Sequence, residues 1–334
     1  MKVLKTLLLI IASLAGLILI ITFFLPSKSV VFRTIEVKTT SEIPFNIVAD
    51  FSLFQRWSPW ANLDKKQKIM IDGKMGQKGY TLSWESSNDQ VGNGKMILSD
   101  INQNNSIKHK LVFFGKDGGI SSWKFEDRNG STIIIWKLET DQSFLMKWFG
   151  LFMDKMMGPY FDRGLKRIKQ MSEEVNQTSL MISDYTVNSF SALAITDSCH
   201  VVSSEISKAI GNAYGEIFKF LGENKITIDS KPIVITRSWN EEKNIYIFDA
   251  AIPISEKITK INGRIKFISI NGGNAIKAVY TGSYEYINFA YAKVERYMKE
   301  RKYLPGLQWE EYENDPAKTV KDKLITNIIW MIAQ

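Results

Sequence analysis

The chain has 334 residues, 45% of them hydrophobic and 23% charged, which excludes a disordered or low-complexity protein and gives enough length for two domains with separate cores. With 43 Lys and Arg against 35 Asp and Glu the net charge is +8, but the basic residues are dispersed and read as a solvated surface, so no nucleic-acid partner is expected. Cys199 is the single cysteine and His109 and His200 are the only imidazoles, which excludes an intramolecular disulfide and leaves no ligand set for a metal; nothing in the spacing calls for a cofactor.

From Thr6 to Leu25 the chain carries no charge and is almost wholly apolar, a stretch that as a helix extends roughly 30 Å, the thickness of a bilayer core. Residues 1–27 are therefore expected to be a single-pass transmembrane anchor. Lys2 and Lys5 would also suit a cleaved signal peptide. The apolar stretch is longer than the usual signal core, however, and Thr22-Phe23-Phe24-Leu25 is too bulky for a cleavage site. Lys2 and Lys5 on one flank nearly balance Lys28, Arg33 and Lys38 on the other. The expected orientation is a short N-terminal tail inside and the soluble part on the non-cytoplasmic side.

Residues 28–175 form the first soluble domain. Val30–Thr40 is rich in β-branched residues and predicts a strand. Ser41 can cap a helix with Pro44 in its first turn, and a second short helical turn through Phe51 and Phe54 stops at Ser58-Pro59. Strand-like runs follow at 67–72, 79–85, 94–99, 107–114, 122–127 and 132–139, with a hairpin turn at Asp127-Arg128-Asn129-Gly130. A helix over Phe144–Ser172 places Leu145, Trp148, Phe152 and Met156 on one apolar face; Pro159 interrupts it, and Phe161, Leu165 and Ile168 resume it.

Strand, two short helices, antiparallel meander and long C-terminal helix is the order of a helix-grip barrel. The residues Pro44-Phe45, Ile47-Val48 and Asp50-Phe51, then Trp57-Ser58-Pro59-Trp60, then Gly92 and Gly94, resemble the SRPBCC superfamily of START-like lipid carriers and polyketide cyclases. The resemblance implies a cavity between sheet and helix, with Trp57, Trp60 and Trp84 at its mouth. Core packing of the same aromatics is the alternative. No base-plus-nucleophile arrangement is readable, since His109 is isolated and Asp50, Asp64 and Glu85 lack partners in sequence.

Gln170–Thr178 is polar and reads as a linker to a second domain over residues 180–334. Leu180–Asp197 predicts one or two strands, and Ser203–Leu221 a helix with Ile206, Ile210, Ala213, Ile217 and Leu221 on one face. Strands are expected at 231–236, 246–254, 275–281 and 324–332, a hairpin tip at 241–244, and a helix over Tyr284–Arg301 that presents Ile287, Tyr291, Val294 and Met298. A loop is expected to carry Glu310, Tyr312 and Asn314-Asp315-Pro316. The half is thus a strand-helix-strand-strand unit used twice, and the whole chain is α+β.

Tyr214-Gly215-Glu216-Ile217-Phe218, Ala251-Ile252-Pro253-Ile254, Tyr280, Gly282-Ser283-Tyr284-Glu285, and Glu310, Tyr312, Asn314-Asp315-Pro316 resemble the GyrI-like effector-binding domain. That resemblance implies a groove between the two repeats for cationic lipophilic compounds, with Glu310 and Tyr312 at the ligand and Tyr280, Tyr284 and Trp330 as walls. Asn327 stands where relatives often have glutamate, which would remove one negative charge. The expected function is a membrane-anchored binding protein with two modules for lipid-like or drug-like amphipathic small molecules, its partners being a hydrophobic ligand and, through the N-terminal helix, the membrane. A cyclase- or hydrolase-like enzyme acting on a hydrophobic substrate is the alternative. Oligomeric state is not readable.

Overall fold

A computed structural model describes residues 2–201, 203–240, 244–255, 258, 261 and 263–333. It divides into two compact units, Met1–Glu173 and Glu174–Gln334. The first opens with α1 (Lys2–Phe24). Its segment Leu4–Phe24 is long and apolar enough to cross a membrane, and its side chains are almost uncovered by protein.

The rest of the first unit is β1 (Lys28–Val37), α2 (Glu42–Ala49), α3 (Phe54–Trp57), β2 (Lys68–Asp72), β3 (Thr81–Glu85), β4 (Gly94–Asn102), β5 (Ser106–Phe113), β6 (Lys116–Arg128), β7 (Ser131–Asp141), α4 (Lys147–Gly150) and α5 (Met153–Asn176). The strands make one seven-stranded antiparallel sheet in the order β1-β7-β6-β5-β4-β3-β2. β1 and β2 are its two edges, so among the described residues the ladder is open. Alternation puts Leu82, Leu98, Ile107, Trp123, Phe125, Ile134 and Trp136 on the buried face. That face meets α2 through Phe45, whose ring stands edge-on to Phe125 at 5.5 Å. It meets α5 through Phe161, stacked on Trp136 at 3.8 Å.

The β6–β7 turn forms where expected, with Asn129 and Gly130 both at positive φ as a two-residue hairpin requires. Three expectations are corrected. Ser41 does not cap α2 with its side chain; its backbone N–H and hydroxyl both donate to Asp127, at 2.8 and 2.9 Å, and so tie the start of α2 to that turn. The apolar face assigned to Leu145, Phe152 and Met156 is not buried: these residues are 71%, 57% and 48% exposed, and the core-facing residues of α5 are Met153, Phe161, Leu165, Ile168 and Met171. Gln170–Thr178 does hold the division between the units, but it is not a uniformly polar segment: α5 runs to Asn176, and Met171, Ser172 and Val175 are buried.

The second unit comprises β8 (Ser179–Val187), β9 (Phe190–Cys199), α6 (Ser203–Asn224), β10 (Ile233–Asn240), β11 (Ile245–Ile254), β12 (Lys266–Ile270), β13 (Gly273–Thr281), α7 (Ile287–Glu300), β14 (Leu304–Tyr312) and β15 (Ile325–Ala333). One eight-stranded sheet runs β12-β9-β11-β10-β14-β15-β13-β8. The repeat is explicit: β9-α6-β10-β11 and β13-α7-β14-β15 each make three adjacent strands and a helix, and they join where β10 pairs antiparallel with β14. The loop expected around Glu310 and Tyr312 is in fact β14. The expected hairpin tip lies, apart from Asn244, outside the described residues.

Both helices cover the same face of this sheet. Ala213, Ile217 and Leu221 of α6 pack on Leu193, Val234, Phe248 and Ile252, while Ala290, Val294 and Met298 of α7 pack on Ile276, Ala278 and Ile328. Val234, Glu310 and Ile328 are cross-strand partners, and such partners share a face. Glu310 therefore lies in the central row, between the core under α6 and the core under α7.

Candidate functional site

Glu310 and Tyr312 are two apart on an extended strand and project to the same side. Tyr312 donates its phenol proton to one carboxylate oxygen of Glu310 at 2.8 Å, and Tyr291 of α7 donates to the other at 2.7 Å. No Lys or Arg pairs with Glu310 among the described residues. Burial raises its pKa above the usual glutamate value, and the two phenol hydrogen bonds oppose that rise without cancelling it. Glu310 as a residue is half-buried, and its carboxylate is recessed among the phenols that bind it.

Four more aromatic groups surround this pair. Tyr284 stands edge-on to Tyr312 at 5.6 Å, and Trp330 edge-on to Tyr291 at 6.2 Å. Tyr214 of α6 and Tyr246 of β11 complete the wall. Burial, and then the negative charge of Glu310, raises the phenol pKa of Tyr214, Tyr291, Tyr312 and Tyr284, the last to about 12. Tyr246 shifts the same way, partly restrained by its 3.3 Å hydrogen bond with the Thr236 hydroxyl. The Tyr214 hydroxyl, Gln308 Oε1, Thr326 Oγ1 and Trp330 Nε1 are all buried without a hydrogen-bond partner. Gln308 pairs with Trp330 across the ladder and Tyr312 with Thr326, so both pairs flank Glu310 on its own face. Unmatched buried polar atoms are costly, and here they gather around one carboxylate.

Of the residues singled out in the second domain, Tyr284, Glu310, Tyr312 and Trp330 come together. Tyr280 does not join them: it is buried in the core under α7 and its hydroxyl donates to the Ser283 carbonyl at 2.8 Å. Tyr214, Tyr246 and Tyr291 complete the site. Tyr291 was legible only as a member of the apolar face of α7, where a phenol among aliphatic residues was the available signal. The lost charge expected from Asn327 is also relocated. Asn327 pairs with Glu311 and so faces the opposite side of the sheet, where its amide donates to Glu311 at 3.2 Å and Glu313 at 2.6 Å.

In the first unit Trp57 and Trp60 converge on Trp136, edge-on at 5.9 and 6.1 Å, and Trp60 also stacks on Tyr160 at 5.6 Å. Trp57 is a core residue. Trp84 sits apart from this stack, edge-on to Phe113 at 5.7 Å, with its indole N–H directed at the Val91 carbonyl at 3.4 Å. A Cβ on Gly94 would come within 2.4 Å of the Trp84 ring, which accounts for that glycine by packing. Inside the unit, Trp57 Nε1, Ser58 Oγ, His109 Nδ1 and Trp123 Nε1 are buried without partners. Burial lowers the His109 pKa to about 3, so its ring is neutral at physiological pH.

Comparison with known proteins gives one family match, to the GyrI-like small molecule binding domain over residues 184–333. Comparison with the curated proteins gives no match. Solved structures similar to the chain include the EcmrR C-terminal domain, at 14% identity and TM-score 0.38, covering 46% of this chain and 98% of that one. A hydrolase from Listeria innocua has 12% identity and TM-score 0.36, covering 46% and 91%. The Aha1 dimer from Colwellia psychrerythraea has 13% identity and TM-score 0.32, covering 43% and 96%. The C-terminal unit of this chain, with its carboxylate recessed among tyrosines, contains a GyrI-like small-molecule binding domain.

Proposed function

We propose that the second unit binds lipophilic cations in the trough between α6 and α7, with Glu310 as the counter-charge. One observation carries this reading: a recessed carboxylate is held by two neutral phenols and, among the described residues, by no basic side chain. A cation entering the trough would gain the carboxylate and several aromatic faces, each face contributing roughly 0.5–2 kcal/mol when desolvated. Tyr284, Tyr312 and Trp330 would supply the apolar contact. Calorimetric titration with an aromatic quaternary ammonium amphipath tests the reading. Tyr312→Ala is expected to weaken binding about tenfold, roughly 1.4 kcal/mol; absence of binding by any amphipath, charged or neutral, up to millimolar concentration would refute it.

A catalytic reading has one observation in its favour. The raised pKa of Glu310 brings its carboxyl nearer to the range useful for proton transfer at neutral pH. Ligand turnover that disappears in Glu310→Gln, with binding retained, would support a hydrolase over a receptor.

The remaining features fit a membrane-anchored receptor. Length and apolar composition support α1 as a helix able to span a membrane; we read it as an uncleaved single-pass anchor with the soluble part on the non-cytoplasmic side. The element order of the first unit supports a START-like, SRPBCC-type helix-grip module. Its unmatched interior polar atoms suit an enclosed amphipathic ligand, with Trp57 and Trp60 as its contacts; Trp84, apart from them against Phe113, would not reach the same ligand. Mass spectrometry of small molecules that co-purify with the full chain reads both modules at once.

A further inference from the structure

The apolar residues between β7 and α5 are left without a place in the core. From Phe144 to Met156 the backbone runs as successive helical turns, joined by the Leu151 to Trp148, Phe152 to Phe149 and Met156 to Phe152 hydrogen bonds. Leu145, Phe149, Phe152 and Met156 recur at i, i+4, i+7 and i+11, which is one face of a helix. All four are exposed, and Met146 and Leu151 beside them are exposed as well. So dense an exposed apolar surface marks an interaction site rather than a solvated one.

Its position says what covers it. The Trp148 indole donates to Thr22 Oγ1 at 2.6 Å, and the Thr22 hydroxyl donates in turn to the Ile18 carbonyl at 2.6 Å. The Lys147 ammonium donates to the Thr22 and Phe23 carbonyls, at 3.2 and 3.4 Å, at the C-terminal end of α1. The apolar turns are thus fastened to the last turn of the one helix, among the described residues, that is long and apolar enough to cross a membrane. The side chains that fasten them are a tryptophan and a lysine, which suit the headgroup level.

We propose that Phe144–Met156 is an interfacial element that lies in the bilayer surface beside the exit of α1, with Leu145, Phe149, Phe152 and Met156 among the acyl chains. This rests on the reading of α1 as a membrane anchor. The arrangement converts a single flexible tether into a two-point attachment, and so fixes how the first unit presents itself to the lipid.

Site-directed fluorescence in the full chain tests it. In a Cys199→Ser background, Leu145→Cys, Phe152→Cys, Leu14→Cys and Met70→Cys are each labelled with an environment-sensitive dye and reconstituted into phosphatidylcholine vesicles. Leu14 lies within α1, and Met70 is exposed on β2 at the sheet edge opposite β1. The Leu145 and Phe152 labels are expected to be quenched several-fold more by lipid-borne quencher than by aqueous iodide, like Leu14 and unlike Met70. If Leu14 is lipid-shielded while Leu145 and Phe152 behave like Met70, the interfacial proposal is overturned and the anchor stands. If Leu14 also behaves like Met70, the anchor reading fails and the proposal fails with it.

Discussion

Trp136→Ala is expected to destabilise the first unit by about 3–5 kcal/mol, the usual scale for truncating a buried tryptophan. Trp136 is at the centre of the interior: its ring stacks on Phe161 at 3.8 Å and Trp123 at 4.3 Å, and Trp57 and Trp60 stand edge-on to it. Its indole N–H donates to the buried Ser121 hydroxyl at 3.0 Å, so truncation also strands a polar group. Trp136→Phe keeps the stacking and is expected to lose less than half as much. Trp84→Ala, at a half-buried position on a different hairpin, should cost the least of the three. Denaturant unfolding of the first unit's transition measures all of them. The experiment also decides between two uses of these aromatics. A packed core gives the full loss, whereas a loss under about 1 kcal/mol would mean that the ring lines a cavity able to collapse or refill.

How much of this was legible in the sequence depended on what each signal reports. Periodicity reports a face and not what covers it. The face of α7 was read correctly because a sheet lies beneath it, while Leu145, Phe152 and Met156 gave an equally good helical pattern and point away from protein. Composition reports the exposed half of an element. Gln170, Glu173, Glu174 and Asn176 made the end of α5 look like a linker, although Met171, Ser172 and Val175 alternate with them in the interior. β14 was hidden for a related reason. It has Pro305-Gly306 in its first three residues, its register shifts between Pro305 and Gln308, and it carries two glutamates, so local propensity argues against a strand that neighbours on both sides enforce. The face of Asn327 turned on a single step of register, which no motif encodes. The Glu310–Tyr312 spacing carries more, because residues two apart on an extended chain face one side, and β14 is extended there.

Glu310→Gln is expected to weaken a cationic amphipath by roughly 1–3 kcal/mol, the scale of a lost charged hydrogen bond, and to leave a neutral isostere of the same shape nearly unchanged. The same carboxylate makes binding depend on pH. Burial raises its pKa in the folded chain, so at pH below that raised value the group is protonated and a cation must displace the proton to form the ion pair. Affinity for the cation should therefore rise with pH and level off once the carboxylate is formed, whereas the neutral ligand and the Gln variant should show flat profiles. Stability runs the other way. A carboxyl whose folded pKa exceeds its unfolded one binds its proton more tightly when folded. Its contribution is fully favourable below the ordinary glutamate range and is lost as pH rises through the raised value. At neutral pH Glu310 is thus a cost to folding that a bound cation relieves, and Glu310→Gln should melt higher than the natural chain in the absence of ligand. Calorimetric titration of the matched ligand pair across pH 5 to 8, with melts of both proteins, measures all of this. Equal losses for the charged and neutral ligands on Glu310→Gln would rule out Glu310 as its counter-charge.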